Sequence, residues 1–407
     1  YFMKTTTKCI LAIVALAMML PAGAFGDDFQ LIPSLTVRGE YNDNIFGSAN
    51  DEESDFITTV SPGLELIEST QRLDLRAAAK ISPFFYADNS DWNDVDQNYK
   101  GNLGYRISEL TRIHANAAYD VSNRPDRDLE TTGLVYSNDR RDRQDYGLGF
   151  DHSLSEKTAL GFSCGYSQEN WKDVDSDRQD LDAYNAVLQF THNLSQWWHS
   201  TIGRLNFGFA QYGYDTSDID YYFATIGFQH YFSETVNLIV DLGARYTKSD
   251  YSRPQLVFIP PSSLEMRMVE TSDEDFGGIG KAILEIQSEL TRGSLRISHD
   301  VTSAASRGST VQRSEAVLNL RRKLAERSAL SIATGYYKNK ADSDEFSSDE
   351  TDEDTLFFRT GIQWEIYEKF ILEAGYRFSD TDDRVDDENT RRNLVYLQVS
   401  IGVPLFE

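Results

Sequence analysis

Three aspartates at alternate positions, Asp173, Asp175 and Asp177, are the residues whose spacing most suggests metal chemistry. In an EF-hand, carboxylates at the first, third and fifth positions bind Ca²⁺, while a glycine at the sixth allows the turn and a glutamate at the twelfth binds through both oxygens. Here the sixth position is Arg178 and the twelfth is Tyr184. The stretch lacks both the turn residue and the final ligand, so we do not expect an EF-hand.

The remaining residues with catalytic potential form no metalloprotease, haem or nucleotide motif. The sequence contains no H-E-x-x-H, no C-x-x-C-H and no P-loop. Most of its six histidines lie on the apolar side of the alternating patterns described below, and His114 lies on the polar side. We therefore predict no catalytic residues, no cofactor and no metal, and we do not expect an enzyme.

A secretory signal is predicted for residues 1–26. Lys4 and Lys8 make the start of this segment positive, and Ile10–Leu20 is an unbroken apolar run followed by small residues. The run is too short for a permanent membrane helix and has the length of a signal peptide. The protein is therefore expected to leave the cytoplasm.

Residues 27–407 are expected to form the mature chain, with Met3 as the natural start and Tyr1-Phe2 lying ahead of it. Beyond the signal segment the chain has a single cysteine, Cys164, so it cannot form an intramolecular disulfide. No later stretch approaches 18 apolar residues, which argues against transmembrane helices.

The charge of the chain also limits its partners. Sixty-five acidic side chains stand against 39 basic ones, a net charge of −26. Nucleic-acid binding requires a basic surface, so we expect no nucleic-acid partner.

From residue 32 onward, apolar and polar residues alternate. The segments Leu73–Ile81, Tyr184–Leu194, Val236–Tyr246 and Phe358–Ile366 each place an apolar residue at nearly every second position. This period of two is typical of strands with two different environments on their faces.

The connections between these segments alternate between short and long. Eight short turns and nine long polar loops predict 18 strands, with 16 as the alternative count. Short periplasmic turns, long outer loops and an even strand number are typical of outer-membrane barrels. A soluble sandwich or propeller is the alternative. However, the predicted strands are long, and 18 strands enclose a space too wide for side chains to fill.

The apolar side of the pattern must then face lipid, and aromatic residues mark its two borders. A girdle is predicted at the loop end from Tyr41, Tyr99, Tyr119, Tyr146, Tyr166, Tyr184, Tyr222, Tyr246, Tyr336, Phe358 and Tyr376. An inner belt is predicted at the turn end from His152, His192, His230, Trp364, Trp197 and Trp198.

The opposite side of each strand should line a wet pore. The predicted pore-lining cations are Arg72, Arg76, Lys80, Lys100, Arg106, Arg112, Arg204, Arg245, Lys281, Arg296, Arg321, Lys323, Arg359 and Arg377. They are candidates for contact with anionic or sugar solutes. The alternative is that they only pair with neighbouring carboxylates.

Two features of the loops stay open at this stage. The acidic runs near residues 342–354 and 380–388 either bind divalent cations that bridge to lipopolysaccharide or form a solvated fringe. The segment 247–274 is the longest predicted loop and carries unusually many apolar residues. It is expected either to close over the mouth as a lid or constriction, or to dock a partner.

Three short stretches carry a family resemblance: "YNDNIF" (41–46), "SPGLEL" (61–66) and "RDRQDYGLGFDHSL", which begins at Arg141. Through them the chain resembles the outer-membrane β-barrel porin family known as beta-barrel porin type 2. The resemblance implies export of an exopolysaccharide or capsule polymer, beside a periplasmic polysaccharide co-exporter. It supplies no catalytic residues.

The combined expectation is an all-β, single 18-stranded barrel in the bacterial outer membrane that passes a hydrophilic substrate, an extracellular polysaccharide first of all. A general diffusion porin is the second interpretation, and an outer-membrane adhesive scaffold or enzyme is the third. Expected partners are outer-membrane lipid, lipopolysaccharide, the barrel-assembly machinery and the polysaccharide itself.

Overall fold

The computed structural model describes residues 29–405 except 125–126, 128, 134–138, 173–178, 260–262, 305–308, 343–344 and 347–349, and describes no side chains within 253–265. The predicted signal segment 1–26 and the aspartate triplet at 173–177 lie outside the described residues. Among the described residues, no helix has the length and apolarity needed to cross a bilayer.

The chain forms 18 antiparallel strands, which confirms the predicted number. The strands are β1 Gln30–Asn42, β2 Asp55–Ser69, β3 Leu73–Tyr86, β4 Asp94–Ser108, β5 Thr111–Ser122, β6 Arg140–Ser155, β7 Thr158–Lys172, β8 Leu181–Asn193, β9 Thr201–Tyr214, β10 Ser217–Ser233, β11 Val236–Ile259, β12 Ser263–Gln287, β13 Thr291–Ala304, β14 Ser309–Ala325, β15 Ser328–Ala341, β16 Thr351–Tyr367, β17 Phe370–Asp383 and β18 Glu388–Gly402. Each strand pairs with its chain neighbours, and β1 also pairs with β18. This last pairing closes the sheet into a barrel without a free edge.

Two short helical segments interrupt the loops: a 3₁₀ turn at Ser90–Trp92 and the helix α1 at Leu129–Thr132. Short connections such as 70–72, 109–110 and 156–157 lie at one end of the barrel, and the long loops lie at the other end together with the short connection 215–216. This is the arrangement of periplasmic turns and extracellular loops that the sequence predicts.

The outward face of the barrel is apolar. Leu148, Leu188, Ile226, Leu242 and Leu397 are exposed, with 42% of Leu188 accessible. Because these residues alternate with polar ones that face the interior, the barrel inverts the arrangement of a water-soluble protein. Exposed aliphatic side chains in a continuous band require hydrocarbon around them.

Aromatic rings form part of the girdle predicted at the loop end. The rings of Tyr146 and Tyr166 lie 6.4 Å apart, those of Tyr166 and Tyr184 lie 4.9 Å apart, and those of Tyr222 and Tyr246 lie 6.3 Å apart. Tyr166 donates a hydrogen bond to Asp182 at 2.6 Å. A ring in lipid with its hydroxyl on a polar partner is the arrangement expected at a membrane interface.

Three histidines near the short turns each hydrogen-bond a threonine directly across the strand pair. The Nδ1 atoms of His152, His192 and His230 lie 3.0, 2.8 and 2.8 Å from the hydroxyls of Thr111, Thr158 and Thr201. Each pair gives a histidine ring nitrogen on the outward face a hydrogen-bond partner. A polar atom without such a partner is costly in an apolar environment.

The segment 247–274 is not a loop, and this part of the sequence interpretation was wrong. Its residues continue β11 and β12, which stay in register from Val236↔Ile286 to Ile259↔Ser263. β12 pairs with β13 only from Gly280 to Gln287, so the hairpin continues beyond the barrel wall. Phe276 is 74% exposed and Met266 65% exposed. On β11, Thr247, Ser249 and Tyr251 are buried, so the inner face of this strand stays covered as far as Tyr251.

Packed side chains fill part of the barrel interior at the extracellular end. Tyr214, Ile219 and Tyr221 of β9 and β10 pack with Val311 of β14 and with Phe346 of the 342–350 loop. The Tyr214 hydroxyl donates a hydrogen bond to the carbonyl of Ser309. The interior is therefore dry and packed near the mouth on this side.

Candidate functional site

The loop that joins β5 to β6 enters the barrel interior at its described residues, 123–124, 127, 129–133 and 139, which we call the inward loop. Its helix α1 places Leu129 in a buried cluster with Val317, Ala333, Tyr337 and Phe357. These four residues belong to β14, β15 and β16, so the loop reaches wall strands far from its own. The apolar side chain of Leu129, which belongs to a polar loop, is therefore buried inside the barrel.

The far end of the inward loop is fixed by hydrogen bonds from wall side chains to its main-chain carbonyls. The Tyr337 hydroxyl donates to the Glu130 carbonyl at 2.6 Å, and the Asn339 amide donates to the Thr132 carbonyl at 3.1 Å. The hydroxyl of Thr355 donates to the carbonyl of Gly133. These donors satisfy carbonyls that the short helix leaves unpaired.

Gly133 ends α1 in the left-handed conformation, with φ +72°. A Cβ at this position would lie 2.4 Å from Cβ of Tyr337. Glycine is therefore required here both by the backbone angle and by the close approach to the wall.

Ion pairs tether the inward loop to one sector of the wall. Glu130 lies 2.7 Å from Arg359 of β16 and 3.7 Å from Arg377 of β17. Arg124 lies 2.6 Å from Glu40 of β1, which is fully buried. Because β16, β17, β18 and β1 are consecutive in the sheet, these contacts fix the loop to neighbouring strands.

A cavity of about 440 Å³ lies beside the inward loop; we call it the basic cavity. Its lining residues are Arg38, Asp96, Asn98, Lys100, Ala118, Asp120, Ser122, Arg124, Arg127, Arg141, Arg143, Asp145 and Arg377. Seven of these side chains are cationic and three are carboxylates. A second cavity of about 240 Å³ shares Arg127 and Arg377 with the first and is also lined by Leu129, Glu130 and Phe357.

Two buried glutamates hold arginines of the basic cavity from outside its lining. Glu40 contacts Arg38 at 2.6 Å and Arg124 at 2.6 Å. Glu169, which is 4% exposed, contacts Arg143 at 3.0 Å. Arginines held in this way have fixed orientations, so their donors are pre-organised.

The strand register places the predicted pore-lining cations on the polar parity of the wall, but they have different surroundings. Lys100 and Arg377 line the basic cavity, and Arg359 tethers the inward loop. Several others pair with wall partners: Arg76 with Glu65, Arg112 with Asp74, Arg204 and Lys281 with Asp241, Arg245 with Asp275, Arg296 with Glu315, and Arg321 with Gln363. Arg72, Lys80, Arg106 and Lys323 lie outside the basic cavity.

Sequence analysis missed five arginines of this site: Arg38, Arg124, Arg127, Arg141 and Arg143. Strand alternation could have identified Arg38, Arg141 and Arg143, because each lies on the inward-facing side of its strand. Arg38 is on the same side of β1 as Glu40. Arg124 and Arg127 lie in the inward loop, for which alternation makes no prediction.

A serine and a histidine approach each other inside the barrel without completing a catalytic triad. The sequence G-F-S-C-G at 161–165 matches the spacing of a nucleophile elbow but lies within β7 rather than at a strand-to-helix turn. Nδ1 of His114 lies 3.5 Å from Asp151, and its ring lies over Gly149, the cross-strand partner of Ser163. In the part of the chain that the structure describes, no hydrogen bond joins Ser163 to His114, and Ser163 lies in a regular strand.

Metal binding by the acidic loops stays a prediction. Within the described ranges, no group of three or more His, Cys, Asp or Glu side chains is arranged to hold a metal ion. Parts of the 342–350 loop lie outside those ranges.

Comparison with known proteins identifies the first third of the chain. Residues 20–140 match the family described as "Putative beta-barrel porin 2". A search of curated proteins finds no match. The match covers β1 to β5, the inward loop and the first residue of β6.

Several solved structures are similar to the chain at low identity. The copper transporter OprC is 11% identical with a TM-score of 0.46, over 89% of this chain and 64% of OprC. OccK2 of Pseudomonas aeruginosa is 12% identical with a TM-score of 0.46, over 94% of this chain and all of OccK2. The E. coli ferric-catecholate receptor Fiu is 8% identical with a TM-score of 0.48, over 93% of this chain and 82% of Fiu.

The closed 18-stranded barrel, its apolar exterior and the porin family match agree with one another. The chain folds as a closed 18-stranded barrel with the apolar exterior of an outer-membrane protein, and its residues 20–140 are similar to a porin family.

Proposed function

We propose that this barrel is a gated channel for the export of an extracellular polysaccharide across the outer membrane. The observation that carries the proposal is the inward loop, which enters a polar interior and is fixed to the wall through Glu130, Thr132 and Gly133. A chain-like solute has to pass the position that this loop occupies. Passage therefore requires that the loop be released.

The tethers of the inward loop have the strength that a gate needs. Each neutral hydrogen bond contributes about 1 kcal/mol net, and burying Leu129 contributes roughly 1.5–3 kcal/mol. Glu130 is 28% exposed at its side chain, so its ion pairs are screened and contribute less than buried ones. Attachments of this size hold a loop in place, yet a partner or a polymer in the pore can displace them.

Polysaccharide is the polymer that the wall chemistry suits. Hydroxyl groups of a sugar chain exchange water for amide, carboxylate and guanidinium partners along the interior at little net cost. The resemblance to beta-barrel porin type 2 points to the same class of solute. A periplasmic co-exporter is the expected source of the arriving chain, and its contact with the short turns is part of the proposal.

General diffusion of small solutes is the second candidate function. The observation in its favour is that two cavities, of about 440 and 240 Å³, lie beside the inward loop. A diffusion porin would conduct ions steadily with the loop in place, as the constriction loops of open channels allow.

Planar-bilayer recording of the purified protein separates the two functions. A gated exporter is expected to show brief and rare openings, whereas a diffusion porin shows a steady conductance. In cells, deletion of the gene is expected to remove polysaccharide from the surface and to leave polymer in the periplasm, and wild-type protein should restore export. Unchanged surface polysaccharide in the deletion strain would contradict the proposal.

A further inference from the structure

We propose that the basic cavity binds an anionic saccharide, one that carries carboxylate groups on a hydroxyl-rich framework. This deepens the proposed function, on which it rests, by naming the charge class of the exported polymer. The cavity lies beside the inward loop and shares Arg124 and Arg127 with it. A solute bound there lies against the loop that we propose as the gate.

The first argument is the layering of charge around the basic cavity. Its lining contains seven cations and three carboxylates, while the glutamates that neutralise several of those cations lie outside the lining. Glu40 and Glu169 are 0% and 4% exposed, so they face away from solvent behind Arg38 and Arg143. The cavity lining that a solute contacts therefore carries more net positive charge than the lining and the two buried glutamates taken together.

The second argument is the crowding of guanidinium groups. Arg38 and Arg377 both lie against the ring of Tyr396, at 4.0 and 5.8 Å from its centre. Nη2 of Arg38 is buried and makes no hydrogen bond to any residue that the structure describes, and Nε of Arg377 has Glu130 at 3.7 Å, beyond hydrogen-bond distance. Buried donors without acceptors are costly. A carboxylate placed between the two side chains would relieve both this cost and their mutual repulsion.

The third argument distinguishes a sugar acid from a denser anion. Asp96, Asp120 and Asp145 also line the basic cavity, and Asp120 accepts a hydrogen bond from the Asn98 amide. Carboxylate acceptors suit the hydroxyl donors of a sugar, which a polyphosphate lacks. A saccharide with spaced carboxylates matches both the guanidinium donors and the acidic acceptors.

Calorimetric titration of the detergent-solubilised full chain tests the proposal without requiring the channel to open. The probes are trigalacturonate, the neutral maltotriose and inorganic phosphate. Trigalacturonate is expected to bind, with maltotriose and phosphate binding at least tenfold more weakly. Equal binding of phosphate, equal binding of maltotriose, or no binding of trigalacturonate would each overturn the assignment.

A pair of lysine variants tests the location. Lys100 is exposed on the cavity wall, and Lys157 is exposed in a short turn outside the cavity. Lys100→Gln is expected to weaken trigalacturonate binding about fivefold, the factor that corresponds to one screened ion pair. Lys157→Gln is expected to leave binding unchanged, and equal affinities of the two variants would refute the location. Bilayer recordings decide the gated-channel proposal separately, so failure of one proposal does not imply failure of the other.

Discussion

Loosening the inward loop should open the channel, and two conservative substitutions make this measurable. Glu130→Gln removes the charge that pairs with Arg359 at 2.7 Å and with Arg377 at 3.7 Å. Tyr337→Phe removes the hydroxyl that donates to the Glu130 carbonyl at 2.6 Å. The ring of Tyr337, stacked 5.9 Å from that of Phe357, can stay in place after this change.

The magnitude follows from the exposure of these groups. Glu130 and Arg359 have 28% and 34% of their side chains accessible, so loss of the pair should cost the docked loop about 0.5–1 kcal/mol. The Tyr337 hydrogen bond contributes about 1 kcal/mol. Together the two changes should shift the equilibrium by about 1.5–2 kcal/mol. While the docked state dominates, this shift raises the released fraction roughly 10- to 30-fold.

Single-channel recording measures the released fraction as open probability. The double variant is expected to open more often than wild type, with each single variant in between. Glu65→Gln is the matched control, because Glu65 pairs with Arg76 at 3.2 Å on the barrel wall and does not line the cavities beside the loop. An unchanged open probability in a double variant that folds normally would refute the view that these contacts hold a gate.

Three further outcomes follow from other parts of the structure. Gly133→Ala forces a left-handed residue and a close contact at the wall, so it should cost the docked loop at least 1 kcal/mol and raise open probability in the same recordings. Leu188→Arg on the lipid face should lower folding stability by about 2–4 kcal/mol in urea titrations in liposomes, whereas Gln189→Arg on the inner face should be tolerated. Burial raises the pKa of Glu345 above its ordinary value of about 4.5, so its neutral form favours the folded loop, and that stabilisation is lost as pH rises through the raised pKa. Glu345→Gln should therefore raise thermal stability at pH 7, with little gain below pH 4.

The barrel could be predicted because the sequence pattern that specifies it, the alternation of apolar and polar residues, is local. Residues such as Leu188 and Gln189 alternate with period two, and that alternation needs only the pleat of a strand and two solvents on its faces. Turn and loop lengths then set the strand count. The same reasoning found Lys100 and Arg377 on the polar parity but gave no way to rank them above the other cations.

The prediction that 247–274 is a loop, one that closes the mouth or docks a partner, was wrong for a physical reason. Apolar composition singled out 247–274, yet hairpin pairing between β11 and β12 satisfies the backbone of that segment without any cover from the mouth. The 123–139 loop looked polar, and only Leu129, three main-chain carbonyls and Glu130 fix it inside the barrel. Those partners lie about 200 residues away in the chain, as with Tyr337 and Glu130.

The sequence by itself determined an 18-stranded barrel with lipid outside and a polar interior, because alternation and turn spacing act over a few residues. Only the tertiary structure decided which loop enters the interior and which cations meet beside it. Closing the sheet places β5, β6, β17 and β1 around one space, so Arg38, Arg143 and Arg377 share a cavity that no local pattern could assemble.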